Sequence, residues 1–467
     1  MPSLFTIPEV LAATRGTLVQ RGMTETFCGV STDSRTCQTG QLFIPLTGEH
    51  HDGHEYIPGA LRRGVQGVLM SRQCHPGEKS EHLHLPREVT VIAVADTLRA
   101  LGDLARAWRE RFDVPVVGIT GSCGKTTTKE MTAAVLAPEF RILKNTLNFN
   151  NLIGLPDTLL GLDGGHEAAV VEMGMNRFGE IQRLTQICRP TVGMLINVHP
   201  AHTEGVGDLR GVAQAKGELL ESLEESATLI YNADDPWPAG LAQNHPGRTL
   251  GFGLKVGADL RAWGRQVRGW DGQTARLSFQ GRSWTLNLGV PGLHQLYNAL
   301  AATAAGLAVG MKPEVTALGL ANFQAIHRRS QIVTLPSGVH LLNDCYNANP
   351  GSMAVALNTL QELRRRARGA AALGDMLELG NGAATTHHRD LGRVAAATGL
   401  EFLVVYGNFK EEVAAGAEEG GLAPERILPV ASRAEGARAL KEFLQPGDWL
   451  LVKGSRSMHM EGIIALL

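Results

Sequence analysis

Cysteine is scarce: six in 467 residues, at 28, 37, 74, 123, 188 and 345, and never as a Cys-x-x-Cys pair. That usage argues against a disulfide framework or a structural zinc site and points to reduced thiols. A surplus of one charge is also missing, since Lys+Arg 44 stands against Asp+Glu 46. Nothing therefore favours a nucleic acid or an acidic membrane as partner, and small molecules are the expected ligands. No stretch of 18 uncharged apolar residues occurs, which is about what a spanning helix needs. The start, Met1-Pro-Ser-Leu-Phe-Thr-Ile-Pro8, has neither a basic n-region nor an apolar h-region. The expectation is a cytoplasmic chain without membrane insertion.

What is present is length and α/β alternation. At roughly 150 residues per domain, 467 residues suggest about three domains. Residues 1–94 mix short helical pieces (7–15, 56–63) with β runs at 41–46, 67–70 and 89–94, and the polar segment 71–88 reads as a surface loop. Residues 95–319 begin with a helix over 97–111, followed by apolar runs at 114–120, 168–173, 192–198 and 228–232 separated by helical patterns or turns. Such alternation predicts right-handed βαβ units and a mainly parallel, doubly wound sheet that binds ligands at the carboxyl ends of its strands. The less regular piece 248–291 carries alternating runs at 275–279 and 283–288 that read as antiparallel hairpins, and a helix over 294–309 follows. Residues 320–467 repeat the alternation, with strands at 339–343, 370–374, 402–406, 427–430 and 448–452 between helices over 353–368, 388–398, 433–444 and 461–466. This last part reads as a Rossmann-like domain.

The strongest local signal is Val114-Pro-Val-Val-Gly-Ile-Thr-Gly-Ser-Cys-Gly-Lys-Thr-Thr-Thr128, an apolar strand running into a glycine loop and then a helix. Glycines at 121 and 124 with Ser122 and Cys123 between them let the backbone cradle phosphates, and the helix start adds Thr127 and a positive dipole end. Lys125 would reach the β/γ phosphates and Thr126 would ligate Mg²⁺. The common pattern has glycine five positions before Gly124, where this chain has Ile119. Two further clusters lie at predicted strand ends. Glu172 closes an apolar run, where a carboxylate needs a partner such as Mg²⁺ or a helix start to cap. His199, His202 and Glu204 follow the next strand, and Lys216 lies on the helix after them, a solvated lysine by its surroundings alone.

Together, the displaced-glycine loop, Glu172, His202 and Lys216 resemble the central domain of the Mur ligases, ATP-dependent enzymes that add amino acids to a cell-wall precursor. The resemblance extends along the chain through 148–156, 172–181, 201–205, 232–235, 346–350, 373–380 and 452–457. It implies an amide ligase acting through an acyl phosphate, with ATP, UDP-N-acetylmuramoyl-tripeptide and D-alanyl-D-alanine as substrates, working as a monomer. It further implies one Mg²⁺ on Thr126 and Glu172, and a second on His202 and a Lys216 converted by CO₂ to a carbamate. Asn298 would read adenine, Asp344 would hold the ribose, and Arg329 would bring charge to the phosphates. Ser34 and Arg35 would lie in a 1–94 domain that recognises the UDP-sugar end, and Asn148, Asn151, Asn347 and Asn349 would contact substrate. Lys453 and Arg456 would take the dipeptide carboxylate, or form a charge cluster at a helix entry. This chain departs from the family at Gln295 and Cys345, where asparagine and serine are common, and at His327-Arg328-Arg329, which replaces Pro-Gly-Arg and leaves two candidate arginines. The segment 373–380 argues against the diaminopimelate- or lysine-adding and folate relatives. The rival from another class is a P-loop switch module.

Overall fold

In the computed structural model, residues 4–48, 51–72, 85–146, 149–201 and 203–467 are described. They gather into two compact units, one of Met1–Val116, Leu143–Ala169 and Arg183–Arg189, the other of Val117–Ile142, Val170–Gln182 and Pro190–Leu467.

In the first unit, a five-stranded sheet runs in the order Thr17–Gln20, Thr90–Val94, Gly67–Ser71, Leu42–Phe43, Val30–Ser31. Phe5, Phe27, Leu69, Ile92 and Leu104 close its core. The helix Thr97–Arg109 starts where predicted because the Asp96 carboxylate accepts from Arg99 N at 3.0 Å.

A nine-stranded sheet carries the predicted alternation. Its order is Arg282–Leu288, Gln273–Phe279, Leu260–Val267, Arg248–Gly253, Thr228–Asn232, Val192–Leu195, Val116–Thr120, Ala168–Glu172, Ile142–Lys144. Val116–Thr120 is buried at every residue, as a mostly β-branched run, broken only by Gly118, should be in a sheet covered on both faces. After it the chain builds strands on one side, then crosses to Val192–Leu195 on the other, which pairs with it in parallel. The order reverses there, and such a reversal opens a crevice at the strand ends. The hairpins expected in 248–291 form between Leu260–Val267, Gln273–Phe279 and Arg282–Leu288, but Arg248–Gly253 extends the parallel part of the sheet first and pairs briefly in parallel with Leu260–Val267. Glycines at 251, 253 and 257 blurred that pattern in the sequence.

The C-terminal sheet has six strands, Gln331–Thr334, His340–Asn343, Trp449–Lys453, Gly369–Gly374, Phe402–Tyr406 and Ile427–Val430 in spatial order. Successive residues face opposite cores: Leu342, Ala371, Leu403 and Leu451 join one cluster, and Leu341, Ala372, Val404 and Leu450 the other. Both faces are thus covered, as in a Rossmann-like sheet. Helix ends moved from expectation. Pro350–Arg364 begins earlier because Asn349 and Ser352 form a reciprocal cap, and Asn381–Ala397 begins seven residues before 388. The helix Lys410–Glu419 escaped reading, its buried side being mostly small residues such as Ala414 and Ala417.

Candidate active site

The phosphate loop sits at the order reversal. Its strand runs on through Ile119 to Thr120, so the glycine requirement falls at 121. A Cβ on Gly121 would lie 2.3 Å from Ile196 Cγ1, well inside contact distance. Gly124 has φ +79° at the helix start, and a Cβ there would come within 2.7 Å of Asn298 Oδ1. The helix Lys125–Leu136 follows, and its first-turn amides have no partner four residues back. Lys125 Nζ folds over the loop and donates to Gly121 O at 2.9 Å.

Thr126 and Glu172 come together. The buried Thr126 hydroxyl donates to Glu172 Oε2 at 2.7 Å. Thr127 is buried in the same first turn. Lys216, on the helix Leu209–Ser222, is only 1% exposed and therefore not the solvated lysine of the plain reading. Burial, then the charge of Lys125, push its pKa well below the usual lysine range, with Cys123 acting weakly the other way. Two residues on, the Glu218 carboxylate accepts from Gly179 N at 2.7 Å and Gln182 N at 3.1 Å, tying this helix to the segment after Glu172. His199 is depressed by burial, against a raising influence of Asp235. His202 lies outside the described residues. Among those described, no group of three His, Cys, Asp or Glu side chains is placed to hold a metal ion.

Asn349, just after the strand His340–Asn343, reaches the same loop. Asn349 Oδ1 accepts the Cys123 thiol at 3.1 Å and Ser352 N at 2.8 Å, so one carboxamide meets the loop and starts a helix. Asn298 accepts from Thr128 Oγ1 at 3.2 Å and donates to Gln295 Oε1 at 3.1 Å, which puts the expected adenine reader against the helix start. Asp344 accepts from Ser330 N at 2.7 Å and from Lys453 Nζ at 2.5 Å. Lys453, 2% exposed, also donates to Asn347 O at 2.9 Å. The two arginines part company: Arg328 pairs with Glu461 at 2.8 Å, while Arg329 lies 3.9 Å from the centre of the Tyr346 ring. Arg456 shares Glu461 at 2.8 Å but keeps a half-exposed side chain. Asn347 is exposed.

Four expected substrate residues belong to the first unit. Ser34 is half-buried, and Arg35 is clasped by Asp33, whose carboxyl the guanidinium and the Arg35 amide hold down at about 2. Asn151 accepts from Ile153 N and Gly154 N at 3.1 and 2.9 Å, and Asn148 lies outside the described residues. Both ring nitrogens of His54 are engaged, one by Asp52 Oδ1 at 2.6 Å and one by Ser71 N at 3.1 Å.

Sequence reasoning missed Glu461 and, although 346–350 and 232–235 were singled out, gave no role to Tyr346 or to Asp234, which takes the Tyr297 hydroxyl at 2.8 Å. It missed Asn197 above all. Ordinary polar residues at strand ends carry no local signature, and only the register Leu195↔Thr120 shows that Asn197 falls opposite the loop.

Comparison with known proteins completes the picture. Residues 119–306 match the Mur ligase middle domain, 328–456 the Mur ligase glutamate ligase domain, and 26–109 the Mur ligase family catalytic domain. The UDP-N-acetylmuramoyl-tripeptide--D-alanyl-D-alanine ligase of Bacillus subtilis (strain 168) is 35% identical over 463 residues, covering 98% of this chain and 97% of its own. A crystal structure of MurF from Acinetobacter baumannii superposes with a TM-score of 0.89 at 30% identity, covering 99% of this chain and 98% of its own. MurF ligase from Thermotoga maritima in complex with ADP gives 0.82 at 27% identity, over 94% and 96%. Likeness at this identity and coverage, along the whole length and not only at the phosphate loop, makes this chain a member of the Mur ligase family.

Proposed function

We propose that the chain is the ATP-dependent ligase that joins UDP-N-acetylmuramoyl-tripeptide to D-alanyl-D-alanine in peptidoglycan precursor synthesis. An oxygen of the tripeptide carboxylate attacks the γ-phosphorus of ATP, the bond to the bridging oxygen breaks, and ADP leaves. The dipeptide amine then attacks the acyl carbon, phosphate departs with the bonding electrons, and the nitrogen gives up a proton. No protein nucleophile is required; positioning and positive charge do the catalysis.

The observation that carries this reading is the buried Thr126–Glu172 pair, 2.7 Å apart beside an anion cradle. A hydroxyl and a carboxylate oxygen so placed suit Mg²⁺, which when bound neutralises charge on the transferring phosphoryl group. Lys125 and the amides of residues 124–127 would grip the phosphates. Arg329 would serve them from the other side, since Arg328 is already committed to Glu461. We assign a second Mg²⁺ to His202 and Lys216. A buried lysine whose ammonium is disfavoured is suited to capture CO₂ as a carbamate and offer oxygen. Asp344 would hold the ribose and Asn298 the adenine. Lys453 would act by fixing Asp344, and Arg456 would meet the dipeptide carboxylate. Ser34, Arg35, Asn148 and Asn151 are assigned to the UDP-tripeptide, and Asn347 and Asn349 to the incoming dipeptide.

The division of labour is proposed as 1–94 for the UDP-sugar end, 95–319 for ATP and 320–467 for the dipeptide. Each sheet among the described residues falls within one of these spans, which supports it. We assign the chain to work as a monomer, since the proposed residues come from one chain, and in the cytoplasm, where ATP is available. Among the described residues no helix is long and apolar enough to cross a membrane. The test is ADP release from purified protein given UDP-tripeptide, with and without D-alanyl-D-alanine. Full turnover should need both, and ADP release indifferent to both would mark a switch module instead.

A further inference from the structure

We propose that Asn197 is a positioning residue that sets the shape of the phosphate loop and thereby selects which backbone amides face the nucleotide. The proposal rests on the reading of 121–127 as the ATP site.

Four hydrogen bonds make the case. Asn197 Oδ1 accepts from Ser122 N at 3.0 Å and from Cys123 N at 2.9 Å, its Nδ2 donates to Cys123 O at 2.9 Å, and its backbone carbonyl takes Ser122 N at 3.2 Å. A reciprocal pair alongside extends the clasp: Ser122 Oγ donates to His199 O at 2.8 Å and accepts from His199 N at 2.9 Å. The two middle residues of the loop are therefore stitched to the neighbouring strand end, side chain and backbone together. Asn197 can do this because Val192–Leu195 pairs in parallel with Val117–Thr120 in register, and Ile196 N continues the ladder to Thr120 O at 3.1 Å.

The chemical consequence concerns the donors. In a phosphate loop the backbone amides are the anion ligands. Here those of Ser122 and Cys123 point at a carboxamide oxygen, and a single amide hydrogen does not serve two acceptors at full strength. The phosphate-facing donors are then the amides of residues 124–127 and Lys125 Nζ, so the anion sits toward the helix start. Asparagine fits this task where aspartate would not, because the contact to Cys123 O needs a donor and a second anion beside the phosphates would repel them. Gly121 belongs to the same arrangement, since Ile196 occupies the space where its side chain would be.

The experiment compares wild type with Asn197→Ala, Asn197→Asp and Lys125→Ala, measuring calorimetric ADP binding, KM for ATP, KM for UDP-tripeptide and the melting temperature. Leaving the Cys123 amide without its acceptor, and Ser122 N with the residue-197 backbone carbonyl alone, should weaken ADP binding and raise the KM for ATP by about ten- to a hundredfold in Asn197→Ala. The KM for UDP-tripeptide should stay within about twofold. Asn197→Asp should be at least as impaired toward nucleotide as Asn197→Ala. If Asn197→Ala binds ADP normally while Lys125→Ala does not, the clasp is wrong and the site stands. If neither substitution affects ADP, the site reading itself fails. A loss of both substrates in parallel with a lower melting temperature would make Asn197 a general structural residue and overturn the proposal.

Discussion

His294 opens the helix Leu293–Ala308 with Nε2 3.4 Å from Ser330 Oγ and Nδ1 3.5 Å from Thr359 Oγ1. Burial is the main influence on it, with Asp344 and Glu362 favouring the charged ring and Lys453 and Arg265 opposing it. The outcome is a pKa pushed down from 6.5 to about 4. A depressed histidine costs stability on the acid side. Above pH 6.5 the ring is neutral folded or unfolded and contributes nothing. As the pH falls through 6.5, the unfolded chain takes up a proton that the folded one refuses, and the loss grows until the folded ring also titrates near 4. Linkage over that interval gives about 2 kcal/mol lost at pH 5 and about 3 kcal/mol in full. Replacement by glutamine, His294→Gln, removes the titration while keeping a polar group. The assay is the NMR titration of the ring, together with urea midpoints of wild type and variant at pH 8 and pH 5. Wild type should lose more stability than the variant between those values. A ring titrating near 6.5, or equal losses in both proteins, would refute the reasoning.

Three further outcomes follow from the site. Glu172→Gln should shift the Mg²⁺ dependence of ADP release to higher concentration by about tenfold or more, the scale on which lost ligation or orientation is felt; an unchanged Mg²⁺ titration would detach Glu172 from the metal. Activity should fall on thorough CO₂ depletion and return with bicarbonate, and Lys216→Ala should be insensitive to both; a wild type indifferent to CO₂ would count against the carbamate. Arg329→Ala should lower kcat by about a hundredfold, as for one preorganised charge, whereas Arg328→Ala should mainly lower the melting temperature through its lost partner Glu461; the reverse pattern would exchange their roles.

What could be read from the sequence was what is local. The Gly121–Thr127 loop, its strand and its helix are contiguous, so spacing alone located them. Glu172 was found because an acid at the end of an apolar run is costly without a partner. Residues whose meaning depends on strand register could not be found this way. Asn197 meets the loop only because two parallel strands are aligned residue for residue, and Lys453 meets Asp344 only because His340–Asn343 and Trp449–Lys453 are neighbours in a sheet whose order the sequence does not print. That Arg328 pairs with Glu461 while Arg329 lies over the Tyr346 ring was likewise unreadable, because those partners are distant in sequence or carry no local signature. Arg248–Gly253 was lost for a different reason, its glycines diluting the β-branched pattern that marks a buried strand.

Cys123 lies inside the Gly121–Thr127 loop, and at first sight it invites covalent chemistry. Its thiol donates to Asn349 Oδ1, and burial raises its pKa above the ordinary thiol value. Electrophiles react with thiolate, and the fold keeps this sulfur protonated and already bound. A warhead aimed at the loop would meet a poor nucleophile. It would also have to break the contact that Asn349 shares with the start of the helix Pro350–Arg364. Inhibitor chemistry directed at this enzyme is better invested in reversible anion mimics seated on the helix start than in cysteine capture.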